Sequence, residues 1–403
     1  MKIAFVGNMN NMPLMYAREL RELGHDVDFH VDACRHETLH RPEHRYPEYR
    51  TYPEWMIDRP VRLPILAYGF PRLLLGGLLR RLEAGNYDGF VLDGLAVGLA
   101  ADLPGRKFAL LAGSDLDVIC DPRSLDFAGF VRRFGAASGR LRHFLLSRLF
   151  VRQRAGLRAC AGFSYFAEGI NPRAEELLDD IYAGLAPYRL QVRGTDTGQL
   201  DYDPGSDRRG DDAVIFVPVR FLWREPLPAG FSPLENKRND IIVRGLADYL
   251  RRSGRRPAIC LVEKGPDVAA TKALAAELGI ADRLTWLKEM PQSEIFDWYR
   301  KADIVFDQLG DHIVGAVGLD SMLVGRPVIA NLRPDVFDRL LPEPWPACHA
   351  STAAEVADWL ERLVDDPGLR REIGRKSHDF VRAYYDKRLT GKALEQFFAG
   401  ARS

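Results

Sequence analysis

The sequence predicts an α/β protein made of two doubly wound, parallel-sheet domains in one chain. Three observations predict it. The N-terminal run KIAFV ends in Gly7, passes into a helical pattern and returns as a second apolar run. The same alternation starts again near residue 213, after a polar Gly/Asp-rich break. The length, 403 residues, exceeds one typical domain and suits two.

In the first half, Leu14, Ala17, Leu20 and Leu23 recur at helical spacing, and DVDFHV follows as the next strand. This is a β-loop-α-β unit, the opening of a doubly wound sheet. GFVLDG (89–94), KFALLAG (107–113) and CAGFSYF (160–166) read as further buried strands. Residues 33–60 are rich in Pro, His, Arg and Tyr without periodicity and read as a long loop, often a functional feature. Residues 196–212 read as a linker. Beyond it, AVIFVPV, AICLVEKG, RLTWLKEM, DIVFD and PVIANL are strands separated by helical patterns, and the chain ends in helices. The expected division is 1–195, 196–375 and a C-terminal helix over 376–403. In sheets of this kind ligands bind beyond the carboxyl ends of the strands.

Composition narrows the function. The chain is 46% hydrophobic and 28% charged with zero formal net charge, so no global field draws it to nucleic acid. Five scattered cysteines without a CxxC pair argue against a disulfide framework or a zinc knuckle and for a reducing compartment. The apolar run at the N-terminus is too short for a signal peptide, and no stretch is long enough to span a bilayer. A cytoplasmic enzyme is the expectation. HETLH (36–40) matches a zinc signature literally, but Pro42 follows at once and the flanks lack helical periodicity, so no metal site is expected.

The chemistry concentrates in FDQLGDHIVGAVGLDSMLVGRPVIA, Phe306 to Ala330. A buried strand leads to a glycine-bearing loop at Val314, Gly315 and Ala316. A helix carrying Asp320 and a second strand follow. Backbone N–H groups opening a helix suit an anion, and the alternative is a tight packing turn. Arg220 follows the first strand of the second half, and Lys237 precedes a helix. A guanidinium fork and a point charge suit two phosphates, and the alternative is a pair of surface charges. Lys264 stands at another strand end.

In the first half, Asn8 and Asn11 admit two readings, contact with a ligand or an Asx turn capping the helix. Asp115 either faces a ligand at a strand end or caps a short helix. Glu54 and Trp55 are candidate walls of an acceptor pocket.

This order of motifs resembles the retaining glycosyltransferases of family 4, with the GT-B fold of two Rossmann-like domains facing across a cleft. The resemblance is strongest from Arg220 to Asn331. LDSMLVGRPVIA is similar to that family's Leu-Glu-Ala-Met-Ala-x-Gly-x-Pro-Val run. Gly7 to Asn11, Pro53 to Trp55 and Gly113 to Leu116 resemble motifs of one branch. The resemblance implies transfer of a sugar, with retention and no metal or other cofactor, from a nucleotide-diphosphate donor to a hydroxyl acceptor. It further implies a place in bacterial surface polysaccharide or glycoconjugate synthesis. It assigns the departing diphosphate to Arg220 and Lys237, with Arg238 as the alternative to Lys237. It assigns the ribose to Asp320 and contacts to the base to Leu287 and Met290. The family's two glutamates, seven residues apart, fall on His312 and Asp320. His312 is thus the expected sugar contact, and its imidazole, with the Asp307-Gln308 pair before the loop, suggests altered sugar choice. The alternatives are a nucleotide-sugar epimerase, a sugar phosphorylase or a catalytically silent sugar-nucleotide-binding subunit.

The span 127–167 contains no Asp or Glu, and its arginines interleave with Phe and Leu through 132–158. Such a helix either lies on anionic lipid, which suits a lipid-linked acceptor at the inner membrane face, or covers the sheet with a solvated arginine face.

Overall fold

The computed structural model describes residues 1–34, 38–191, 194–227, 233–311 and 313–400. The chain divides into two compact units, Met1–Arg193 with Lys387–Ser403, and Gly194–Asp386.

The first unit is built on a parallel sheet whose strands, among the described residues, are β1 (Lys2–Val6), β2 (Asp26–Val31), β3 (Met56–Asp58), β4 (Gly89–Asp93), β5 (Arg106–Leu110), β6 (Gly162–Ser164) and β7 (Tyr188–Leu190). Their order is β3-β2-β1-β4-β5-β6-β7. β1 pairs with β2 from Lys2↔Asp26 to Val6↔His30 and with β4 from Ile3↔Gly89 to Val6↔Leu92. The order reverses between β1 and β4, which places the loops after these two strands side by side. β1 and β4 are apolar on both faces, as a sheet covered by helices on each side requires. The helix Met12–Glu22 starts with Pro13 in its first turn, where a missing N–H costs nothing. Its apolar face and β2 enclose a core that Leu394, Phe397 and Phe398 of the C-terminal helix Lys387–Phe398 complete.

The second unit carries β8 (Val214–Val217), β9 (Ala258–Glu263), β10 (Leu284–Lys288), β11 (Ile304–Phe306), β12 (Val328–Ala330) and β13 (Cys348–His349) in the order β10-β9-β8-β11-β12-β13, all parallel. Here the order reverses between β8 and β11.

The edge strands β3, β7 and β13 are two or three residues long, too short for a periodic signal in sequence. The long loop expected over 33–60 resolves, in its described part, into 3-10 turns at Thr38–His40, Pro42–His44 and Pro47–Arg50 before β3. Arg41 anchors it with two hydrogen bonds to Asp58. The segment expected as a linker, 196–212, is instead packed on the second unit. Asp203 accepts from Arg326, and Ser206 and Arg208 bond Asp303. The chain crosses between units at 193–194 and 386–387, and Thr195 bridges Asp386.

The candidate membrane helix Ala136–Arg158 buries Gly139, Leu149, Gln153, Gly156 and Leu157, four of them in its second half, while Leu141, Phe144 and Val151 stay exposed. Among the described residues no helix is long and apolar enough to cross a membrane.

Candidate functional site

In the second unit the turn after β8 carries Arg220 on a backbone held from three sides. Phe221 donates its N–H to the carbonyl of Lys264, at 2.7 Å, and accepts from Asp267. Asn239 accepts from the N–H of Leu222, and Asp267 accepts from those of Trp223 and Arg224. Gly265 sits against this turn with a φ of 107°, and a Cβ there would lie 2.4 Å from the Phe221 oxygen. Only glycine suits that position.

Lys237 reaches the same turn from the other side. Its N–H donates to the carbonyl of Leu222 and its carbonyl accepts from Leu309. Gly310 passes so close that a Cβ would lie 1.9 Å from the Asn236 oxygen. The loops after β8 and β11 are therefore one bonded platform. Lys237 is the lysine that shares this environment with Asp307, whereas Arg238 is exposed and turns to Asp240.

Arg220, Lys237 and Lys264 form a cationic cluster. Burial lowers the Lys237 ammonium to about 8, with Asp307 and Glu235 opposing and the Arg220 guanidinium lowering it further. Burial also lowers Lys264, against the pull of Glu289 at 3.3 Å, and Arg220 again pushes it down. Among the described residues Arg220 and Lys237 have no carboxylate within ion-pair distance. Positive charge crowded in a partly dry corner favours an arriving anion.

The glycine-bearing loop behaves differently from its expectation. Asp307 is buried at the end of β11, and one of its carboxylate oxygens accepts from the N–H of Gly315 at 2.6 Å. The other accepts from Gln308, and burial raises the Asp307 carboxyl above its usual range. Gln308 donates its amide to the carbonyl of Ile313. The Gly315 N–H expected to meet phosphate is thus bonded within the chain. Val314 is buried and Ala316, at the start of the helix Ala316–Val324, is exposed. His312 lies outside the described residues.

Asp320 sits in that helix, 1% exposed. It accepts from the Thr195 hydroxyl at 3.0 Å and from the Gln292 amide at 3.4 Å. Gln292 opens the helix that follows β10, so Asp320 borders the segment that carries Leu287 and Met290, both half-buried.

In the first unit the asparagines are builders of the fold. Asn8 donates to Asn11 and to the carbonyl of His40 and accepts from the N–H of Leu14. Asn11 donates to the carbonyls of Leu39 and Arg41. Both amides are consumed in holding loop 39–41 to the end of β1, with Asn10 and Asn11 in the left-handed region. Asn11 precedes the helix without capping it through its side chain, and apart from the Leu14 bond and the one between the two asparagines these contacts anchor a distant loop. Asp115 accepts from the N–H groups of Ala112 and Gly113 and closes its own turn, but it lies inside the short helix Ser114–Asp117, whose N-cap residue is Gly113, so it is not the helix cap. Trp55 packs edge-on to Phe29 and Tyr49 with Arg21 over its ring at 4.7 Å, while Glu54 is exposed. Asp267 and Asn239 escaped the sequence reading, and Asp307 and Gln308 entered it only as a pair bearing on sugar choice, not as holders of the loop. Each starts a helix or ends a strand, a position where polar side chains hold loops.

His36 and Glu37 of the HETLH run lie outside the described residues. Among the described residues no three His, Cys, Asp or Glu side chains are grouped to hold a metal ion. Burial pushes the Cys160 thiol up to about 12 and the Cys120 thiol higher, so both are inert.

No family model matches the chain. Curated relatives are D-inositol 3-phosphate glycosyltransferases. That of Nocardia farcinica is 31% identical over 153 residues, 35% of this chain and 34% of the relative. That of Acidothermus cellulolyticus is 30% identical over 232 residues, 53% of this chain and 49% of the relative. The chain spans about half or less of the length of these relatives. Among solved structures, sucrose-phosphate synthase of Thermosynechococcus elongatus superposes with a TM-score of 0.64 at 14% identity, covering 99% of this chain and 100% of that one. Anabaena HepE in complex with UDP-glucose gives 0.62 at 13% identity, covering 99% and 100%. These likenesses show that the fold is GT-B.

Proposed function

We propose that the chain is a glycosyltransferase that takes a sugar from a nucleoside-diphosphate donor bound by its second unit. The observation that carries this reading is the cluster of Arg220, Lys237 and Lys264 beside the point where strand order reverses. Arg220 and Lys237 receive the diphosphate as its bond to the sugar breaks, and Lys264 adds charge at the rim. Most of the work is electrostatic: fixed cations stabilise negative charge that develops on the leaving group. Asp320 takes the ribose through an oxygen now held by Gln292 over a long 3.4 Å bond. The acceptor is a hydroxyl compound, and the first unit receives it. Retention without a metal follows the resemblance, and three cations supply the charge that a metal would otherwise contribute.

The likeness to a protein crystallised with UDP-glucose makes uridine the first base to try. The test is a thermal-shift series with UDP, GDP, ADP and CMP, with magnesium and with chelator. A ligand at about a hundred times its dissociation constant adds about 2.7 kcal/mol. We expect one nucleoside diphosphate to raise the melting temperature in both conditions, and Arg220→Ala to abolish the rise. No shift with any of them would sink the donor site. A shift without sugar transfer to any acceptor would leave the silent binding subunit in its place.

A further inference from the structure

The first unit leaves large apolar side chains open to solvent in two neighbouring stretches. Leu63 is 64% exposed and Leu73 80% exposed, with Ile65 and Leu74 beside them on the short helices Pro64–Gly69 and Pro71–Leu74. Phe127, Leu141 and Phe144 are exposed on the helices Phe127–Phe134 and Ala136–Arg158. Direct packing joins the two stretches. The Phe70 and Phe144 rings lie 6.0 Å apart, Arg148 covers Phe70 at 5.4 Å, and Phe127 meets the His143 ring at 5.1 Å. A Cβ on Gly69 would touch Arg148 at 3.7 Å.

Charge surrounds this apolar ground. Arg133, Arg140, Arg142 and Arg148 have no carboxylate within ion-pair distance among the described residues. The Arg142 guanidinium carbon lies over the Phe134 ring at 4.3 Å, a cation–π contact that ties the charge to this apolar ground. Soluble proteins rarely keep contiguous apolar ground of this kind open unless something covers it.

We propose that this face docks the protein on an anionic lipid bilayer, with Leu63, Ile65, Leu73 and Leu74 entering the headgroup layer and the arginines meeting lipid phosphates. Two other occupants fit the chemistry less well. A two-fold pair of identical copies sets each basic rim against its twin, a like-charge contact. A nucleic acid satisfies the arginines but leaves four exposed aliphatic side chains without a stacking surface. A bilayer satisfies both, through apolar burial and attraction to anionic headgroups. This surface is independent of the donor site.

The test is co-sedimentation of the full chain with vesicles of phosphatidylcholine alone and of phosphatidylcholine mixed with phosphatidylglycerol, in the absence of nucleotide. We expect binding to the mixed vesicles and little to the neutral ones, weakening as salt rises. Arg133→Gln and Arg140→Gln should each lower the partition about fivefold. Ile65→Ser with Leu73→Ser should lower it at least as much, with the melting temperature unchanged because both side chains start exposed. Equal binding to neutral and anionic vesicles, or none to either, overturns the proposal. So does a concentration-dependent dimer in sedimentation velocity that the same substitutions dissolve.

Discussion

Lys237 and His30 are both bases that burial lowers, so each contributes stability that rises with pH, across two different windows. Lys237 is lowered from 10.5 to about 8. Between about pH 8 and about pH 10.5 the unfolded chain keeps this proton and the native protein sheds it, so stability from this group rises with pH across that window. Affinity for a nucleoside diphosphate runs the other way and falls above about pH 8 as the ammonium is lost. Calorimetric titration with the diphosphate found in the thermal-shift series, from about pH 7 to about pH 9.5, should show that fall. Lys237→Arg, which stays charged, should flatten it. His30 sits on β2, 1% exposed, and burial lowers it from 6.5 to about 4 despite Asp28. Its contribution is full above about pH 6.5 and is lost as pH falls through that value toward 4, because the unfolded chain protonates first. A shift of this size is worth roughly 3 kcal/mol. His30→Phe should remove that part of the acid destabilisation in denaturant melts; an unchanged pH slope would show that His30 is not its source.

Two strand-to-helix turns carry the polar residues that the sequence made conspicuous, and they divide between holding the fold and meeting a ligand. The turn after β11 is held by Asp307, whose carboxylate accepts from Gly315 and Gln308. Asp307→Ala leaves those donors unpaired and should cost about 1–3 kcal/mol. It should also speed hydrogen exchange at Gly315 and weaken nucleotide binding by loosening the platform under Lys237. The turn after β1 is held by Asn8 and Asn11. Asn8→Ala should cost a similar amount, again about 1–3 kcal/mol, but leave diphosphate affinity unchanged, because its bonds all lie in the first unit. The contrast is measured by denaturant melts and nucleotide titration of the two variants side by side. Strand and helix positions were legible because apolar runs and helical spacing survive any environment. The roles of Asn8, Asn11 and Asp115 were not. An Asn or Asp at a turn looks the same in sequence whether it binds a ligand or its own backbone. Only the positions of the 39–41 carbonyls and the 112–113 N–H groups decide between them.

At the scale of the whole chain, the final helix belongs to the first unit although it follows the second. Its Phe397 is buried against Phe108 at 5.2 Å and Tyr188 at 5.7 Å, with Arg106 over its ring. Phe397→Ala should destabilise the first unit by about 3–5 kcal/mol. Scanning calorimetry should then separate an early transition from a later one that still shifts upward with nucleotide. A single transition that moves as a block would show that the two units unfold together. The exposed apolar ground of the first unit is another property at this scale, because it joins residues 63–74 to residues 127–144 through packing that sequence distance conceals.

What the sequence determined by itself was the pair of parallel sheets, the place of the loops at their carboxyl ends, and Arg220, Lys237 and Asp320 as the residues to watch. Hydrophobic periodicity is a local signal, and the rule that ligands meet strand ends turns it into positions. What only the tertiary structure decided was which polar groups are already spent. Asp307 bonds Gly315, Thr195 and Gln292 hold Asp320, and Asn8 and Asn11 pin the loop beside them, whereas Arg220 stands without a carboxylate partner among the described residues. Hydrogen bonds and ion pairs join residues far apart in the chain. Whether a charge is free to meet a ligand is therefore settled by its neighbours in space.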